Sequence, residues 1–150
     1  MIQCLPEGIC SWNFFLLGDG HEGRTEISWP GENGYLEVDG VRLQVMKQGF
    51  FSGSWELVAN GDVVATAKKR AFSRSFEIRS GELVYSLNPE SLGRTMCLSR
   101  NGESAMIKPV HLFTRRARIE GGVEDFRILC FAFWLTVVLW RRRSRNNAGN

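Results

Sequence analysis

The sequence predicts a mainly β fold, an antiparallel β-barrel of about ten to twelve strands enclosing one C-terminal hydrophobic α-helix. Three observations predict it. The turn dipeptides Asp39-Gly40, Asn60-Gly61, Ser80-Gly81 and Asn101-Gly102 recur at spacings of 21, 20 and 21 residues. Apolar and polar residues alternate on both sides of each turn, the period of a strand with one dry and one wet face. Residues 128–140 are uncharged and apolar all round, so as a helix they must be surrounded by protein.

A chain of 150 residues, 43% hydrophobic and 23% charged, is one domain's worth of sequence and carries enough apolar surface to fold alone. Residues 1–145 are expected to form that domain, with 146–150 a disordered tail. At the start, "MIQCLPEGICSWNFFLLGDG" lacks a basic leader and a small-residue cleavage site, so it is not read as a signal peptide. "WNFFLL" and "RTEISW" read as two strands around the polar loop "GDGHEG".

From residue 35 to 108 the chain is a train of hairpins, because Asn-Gly and Asp-Gly tolerate the positive φ that tight hairpin turns demand. The expected inward set is Leu36, Val38, Val41, Leu43 and Val45, followed by Trp55, Leu57, Ala59, Val63, Ala65 and Ala67. Phe76, Ile78, Leu83, Tyr85 and Leu87 continue it, then Met96, Leu98, Ala105 and Ile107. "RRARIE" reads as a last strand before "GGVED", and a helix is expected over about 125–141. Asp125 at its start and the arginines at its end complement the helix dipole.

That helix also raises a membrane question. Thirteen residues, 128–140, make about 20 Å of helix against a bilayer core of about 30 Å. An anchor would also carry Arg141, Arg142, Arg143 and Arg145 across hydrocarbon. A buried helix about 10 Å across instead needs a barrel wider than eight strands, which the strand count supplies.

A hairpin-built barrel with a C-terminal hydrophobic helix, through "SGSWELVANGDVVATAKK", "RSFEIRSGELVYSL" and "FAFWLTVVLWRRR", resembles the tubby-like superfamily, which includes the phospholipid scramblases and LURP-one-related proteins. It is most similar to small bacterial members of unknown function that end in a phenylalanine-rich helix capped by "LWRRR". The resemblance implies a non-enzymatic binding fold. For tubby itself it implies phosphoinositide recognition through basic residues, a motif that does not align onto this chain residue by residue. The cysteine-rich segment and calcium motif of scramblases are not present.

Charge is laid out unevenly. Net charge is +3, yet residues 126–150 hold five arginines and no acid, which leaves 14 basic against 16 acidic groups in the first 125 residues. Two basic clusters precede the helix. Lys68, Lys69, Arg70 and Arg74 surround Ser73 and Ser75, and Arg115 and Arg116 lie with Arg118 at the last connection. Together with Arg141, Arg142 and Arg143 they are the candidate ligand-binding residues. Several cationic donors meeting at one surface suit an anionic lipid headgroup or a phosphorylated ligand. Neither cluster carries the aromatic interleaving of single-strand nucleic-acid binders, so nucleic acid ranks below lipid.

No metal site is expected. Cys4, Cys10, Cys97 and Cys130 form no CxxC pair, and Asp19, His21 and Glu22 in "GDGHEG" read as a polar hairpin loop. Free cysteines in apolar runs fit a reducing cytoplasm, with the protein peripheral to a membrane where it meets one. The two histidines, His21 and His111, stand far apart, and neither a nucleophile elbow nor a phosphate or dinucleotide loop is present, so no enzyme and no cofactor is expected. The function classes left open are a binding module for anionic lipid or phosphorylated ligand, a structural or protein-interaction domain, and a C-terminally anchored domain.

Overall fold

The computed structural model describes residues 1–149 apart from Trp29, Leu92 and Leu112. Twelve strands precede one helix: β1 (Ile2–Pro6), β2 (Phe14–Gly18), β3 (His21–Ile27), β4 (Gly34–Val38), β5 (Val41–Gln48), β6 (Ser54–Ala59), β7 (Asp62–Lys69), β8 (Phe76–Ser80), β9 (Leu83–Pro89), β10 (Met96–Arg100), β11 (Glu103–Pro109), β12 (Ala117–Gly122) and α1 (Phe126–Ala148). Each strand pairs antiparallel with its chain neighbour, and β1 closes on β12 through Ile2↔Ile119 and Cys4↔Ala117. The sheet is therefore a closed up-and-down barrel with no free edge.

The strand that sequence reasoning overlooked is β1, whose burial alternates from Ile2 to Cys4 and which ends on a proline. "RTEISW" was expected to run through Trp29, which lies outside the described residues; β3 stops at Ile27. His21, Glu22 and Gly23 belong to β3, so the "GDGHEG" turn is only Asp19-Gly20.

Type I′ geometry holds at four hairpins, where Asp19, Asp39, Asn60 and Asn101 have φ of 53°, 48°, 51° and 42° and each precedes a positive-φ glycine. The hairpin of β8 and β9 differs. Ser80 pairs with Leu83, so the turn residues are Gly81-Glu82, with glycine in the first central position at φ 59°, as a type II′ turn requires.

Twelve strands leave room for α1, of which residues from Phe126 to Arg141 form the buried length. The helix does not lie on the barrel axis but nearest β3 and β4. Glycine explains the offset. A Cβ on Gly23 would come within 3.1 Å of Cys130 Sγ, and one on Gly34 would collide with the Glu26 carbonyl of β3 and come within 3.0 Å of Trp134 Nε1. Elsewhere in the wall bulky side chains fill the gap, with Trp55 at 6.4 Å from Trp134 and Phe14 edge-on to Phe133 at 5.1 Å. Trp134 donates its indole N–H to the Glu26 carbonyl at 2.8 Å, so its polar atom is satisfied inside the core.

Three residues assigned to the dry face are exposed. Val63 is turned outward because β7 bulges at this point: Leu57 pairs with Ala65 but Val58 with Val63, and the one-residue shift reverses the face. Val41 and Leu83 keep their inward register but sit at the first rung after a turn, where they line an open recess of about 630 Å³ with His21, Tyr85 and Phe126. Ala59 is only partly buried for the same reason of position.

The helix begins where it was expected, capped by Asp125, whose carboxylate accepts the Arg127 N–H at 2.9 Å. It ends later. Instead of stopping near 141 and giving way to a disordered tail, it continues through Asn146, Asn147 and Ala148, closing with Gly149 N–H to the Arg145 carbonyl. No proline or interior glycine interrupts this stretch, and Arg142 is anchored to the barrel, so the helix has a fixed base from which to extend. Asn150, the last residue of the expected tail, lies outside the described residues. Among the described residues no helix is long and apolar enough to cross a membrane.

Candidate functional site

In a closed up-and-down barrel alternate connections fall at opposite ends, and here the ends differ in kind. One end carries the five tight hairpins and the helix N-terminus. The other carries the six longer connections, between β1 and β2, β3 and β4, β5 and β6, β7 and β8, β9 and β10, and β11 and β12, together with the helix C-terminus. The candidate residues Lys68, Lys69, Arg70 and Arg74, Arg115 and Arg116, and Arg141, Arg142 and Arg143 all belong to this second end, the basic mouth. Asp19, Asp39, Asp62, Glu82, Glu124 and Asp125 belong to the hairpin end. The molecule is electrically polarised along the helix.

Proximity does not make every arginine available. Arg141 is buried, donates to the Gly31 carbonyl and leaves its Nε without a partner; burial draws it below the usual arginine range. Arg142 forks onto both oxygens of Glu32, which also accepts from Lys47 Nζ at 2.8 Å. Trp55 closes this knot by donating its N–H to the Glu32 carbonyl at 2.9 Å. Arg115 sits over the Trp12 ring, its Cζ 3.7 Å from the centroid, and donates to the Ser11 carbonyl at 3.0 Å, and burial lowers it too. Arg74 donates to the Gly93 and Ser91 carbonyls, tying one loop to the next. These four guanidinium groups build the mouth.

Burial alone would push Glu32 upward, but hydrogen bonds from Arg142 and Lys47 outweigh it and hold the carboxyl down at about 2. A carboxyl lowered on folding stabilises the fold above its unfolded value near 4.5, and the contribution fades as pH falls from there towards 2. Glu32→Ala is expected to cost on the order of 2–3 kcal/mol at pH 7, because Arg142 is left partly buried without its counter-ion. Urea titrations should show this difference at pH 7 and its disappearance near pH 2; equal stability of the two proteins at pH 7 would show the knot to be idle.

The remaining cations face outward. The side chains of Lys68, Arg70, Arg116 and Arg143 make no hydrogen bond or ion pair among the described residues, and neither does that of Arg94, which sequence reasoning missed. Its signal was present: "ESLGRT" at residues 90–95 repeats the layout of "RAFSRS" at 70–75, placing Arg94 where Arg74 stands. Both loops close alike, Arg70 N–H to the Ser75 carbonyl and Glu90 N–H to the Thr95 carbonyl, each 2.9 Å.

Two recesses flank the emerging end of α1. One, about 380 Å³, lies among Trp12, Arg94, Arg116, Trp140 and Arg143; the other, about 530 Å³, among Lys69, Arg74, Arg94, Trp140 and Arg143. Trp140 forms the wall between them, held by its N–H to the Arg94 carbonyl at 2.9 Å. Cationic donors around a shallow, partly aromatic recess are suited to an anion with several oxygens. Among the described residues no three His, Cys, Asp or Glu side chains come together to hold a metal ion. Cys4 and Cys130 are buried and pushed well above the ordinary thiol value, which keeps them protonated and unreactive. Comparison of the chain with family models, curated proteins and solved structures finds no match.

Proposed function

We propose that this protein is a non-enzymatic binding module that recognises phosphate-bearing anionic ligands, the headgroups of an anionic lipid surface foremost, at the basic mouth of its barrel. The observation that carries this reading is the convergence of cations from three separate stretches, 68–74, 94 and 115–116, around the arginine-rich end of α1. The polarity of the barrel supports it, since an acidic hairpin end and a basic mouth orient the molecule in the field of an anionic surface. A barrel enclosing a C-terminal helix is also the architecture implied by the resemblance to the tubby-like superfamily, and membership of that superfamily is part of the same proposal.

Charge reversal tests it. In sedimentation with phosphatidylcholine vesicles holding about 30% phosphatidylserine, the protein is expected to bind at low salt and release at high salt. Lys68→Glu, Lys69→Glu and Arg70→Glu combined should weaken binding by roughly a hundredfold, at about 1 kcal/mol per cation near the surface. Inositol hexakisphosphate in solution provides the second arm: binding it without binding vesicles points to a soluble phosphorylated ligand. Binding to neither, or binding indifferent to the reversal, would leave a structural or protein-interaction domain whose arginines serve only its solubility.

A further inference from the structure

The connections at the basic mouth carry more than charge. Ile9, Phe50, Phe51, Phe72 and Phe113 are 97%, 86%, 95%, 108% and 90% exposed, and each sits in a different loop of this end except the paired Phe50 and Phe51. No large apolar residue described at the hairpin end or on the barrel wall is exposed to this degree; the nearest at the hairpin end, Met1, Val41 and Val63, reach 57%, 56% and 51%. A bare phenylalanine at a loop tip gains nothing from the fold, and five such side chains carried at one end of the barrel, and at that end alone, mark it as an interaction surface.

One tip stands out in its backbone as well. Phe72 adopts φ +56°, a left-handed conformation that a bulky residue resists and that glycine or asparagine would adopt freely. Strain retained at an exposed aromatic points to a role for that side chain in place outside the core. In sequence the tips also keep the cadence of the hairpins. Phe50, Phe72 and Phe113 are joined at their intervals by Trp29 and Leu92, which lie outside the described residues, so that positions 9, 29, 50, 72, 92 and 113 are spaced by 20, 21, 22, 20 and 21.

The apolar tips alternate with cations, an aromatic interleaving that the reading of the basic clusters in sequence passed over. Phe72 stands between Arg70 and Arg74, Phe113 precedes Arg115 and Arg116, and Ile9 and Phe113 border one recess with Arg115 and Arg116. Aromatic side chains that dip below a layer of anions while neighbouring cations stay at its level are the chemistry of a bilayer interface. A second copy of the same mouth is a poor occupant, because it would bring two basic surfaces face to face.

From this placement we infer that the protein docks end-on to an anionic lipid bilayer, with the axis of α1 along the membrane normal, inserting Ile9, Phe50, Phe51, Phe72 and Phe113 into the interface and directing its acidic hairpin end away. The inference rests on the basic-mouth reading and names its ligand source as a membrane surface. It adds insertion, which charge alone does not require.

Cys10 offers a native probe, being exposed in the same loop as Ile9, once the half-buried Cys97 is replaced by serine in every labelled protein; Cys4 and Cys130 are buried. The full chain labelled at Cys10 with bimane should be quenched by brominated acyl chains in phosphatidylserine-containing vesicles, while a Cys10→Ser, Asn60→Cys protein labelled at the hairpin end should not be. The combined variant Phe50→Ser, Phe51→Ser, Phe72→Ser and Phe113→Ser should keep its circular dichroism and thermal transition, because these rings touch solvent, and should bind the same vesicles at least roughly thirtyfold more weakly. Wild-type vesicle binding that survives the four substitutions, with no quenching at Cys10, would overturn insertion while leaving the charged surface intact. Absence of wild-type vesicle binding would overturn both. Quenching at the hairpin probe would reverse the orientation. Concentration-dependent dimers abolished by the four substitutions, without vesicle binding, would assign the patch to a second copy of the chain instead.

Discussion

A chain ending at Gly121 is expected to lose its fold altogether. Removing the rest strips out α1, in which Ile128, Leu129, Phe131, Phe133, Trp134, Leu135, Val137 and Val138 are each at most 2% exposed. At about 1.5–3 kcal/mol for each large apolar side chain, their burial matches or exceeds the roughly 5–15 kcal/mol by which a domain is ordinarily stable. The wall left behind would have an apolar interior open to water at both mouths. Circular dichroism and analytical ultracentrifugation should find the fragment molten or aggregated, with no cooperative unfolding transition. A soluble fragment with sharp near-ultraviolet signals and a single transition would show that the hairpins fold without the helix and that α1 is an accessory.

Phe133→Asp should do nearly as much damage with a single side chain. Phe133 is fully buried, edge-on to Phe14 and 6.2 Å from Trp140, in aromatic surroundings that offer a carboxylate no counter-charge of their own. The substitution leaves a cavity and places a charge in it, and either effect alone costs about 3–5 kcal/mol. Phe133→Leu, which keeps the site apolar, should cost only about 1–2 kcal/mol. Expression of both with urea denaturation of whatever is soluble separates the readings: a soluble, native-like aspartate variant would mean that the helix face is wet.

Much of this architecture was legible in the sequence because each signal was local. Asn-Gly and Asp-Gly specify their own turns, so the Asp39, Asn60 and Asn101 hairpins form where their residues say. The exceptions also had local causes that a pattern conceals: a glycine one step on from Ser80 shifted a turn, and an extra residue at the β7 bulge turned Val63 outward. Gly23 and Gly34 escaped notice for another reason. A side chain at Gly23 would meet Cys130, and one at Gly34 would meet the Glu26 carbonyl and Trp134, and only the partner elements reveal that.

The candidate site was legible in part. Its residues were visible as runs of lysine and arginine, but their availability was not. Arg74, Arg115, Arg141 and Arg142 look like their neighbours in sequence, yet carbonyls, Trp12 and Glu32 engage them, while Arg116 is exposed and the half-buried Arg94 has no side-chain partner among the described residues. Glu32 lies 110 residues from Arg142 and gives no hint of the pair.

By itself the sequence determined the period of the chain: strand, tight turn, strand, longer loop, repeated until an apolar helix must be enclosed. Backbone geometry and hydrophobic burial suffice for that, since both act over a few residues. Which cations meet, which are neutralised, and that the bare phenylalanines share their end were decided only by closure of the barrel. Antiparallel closure sends alternate connections to opposite ends, and electrostatic pairing depends on distance in space, which loops separated by tens of residues acquire only when the last strand meets the first.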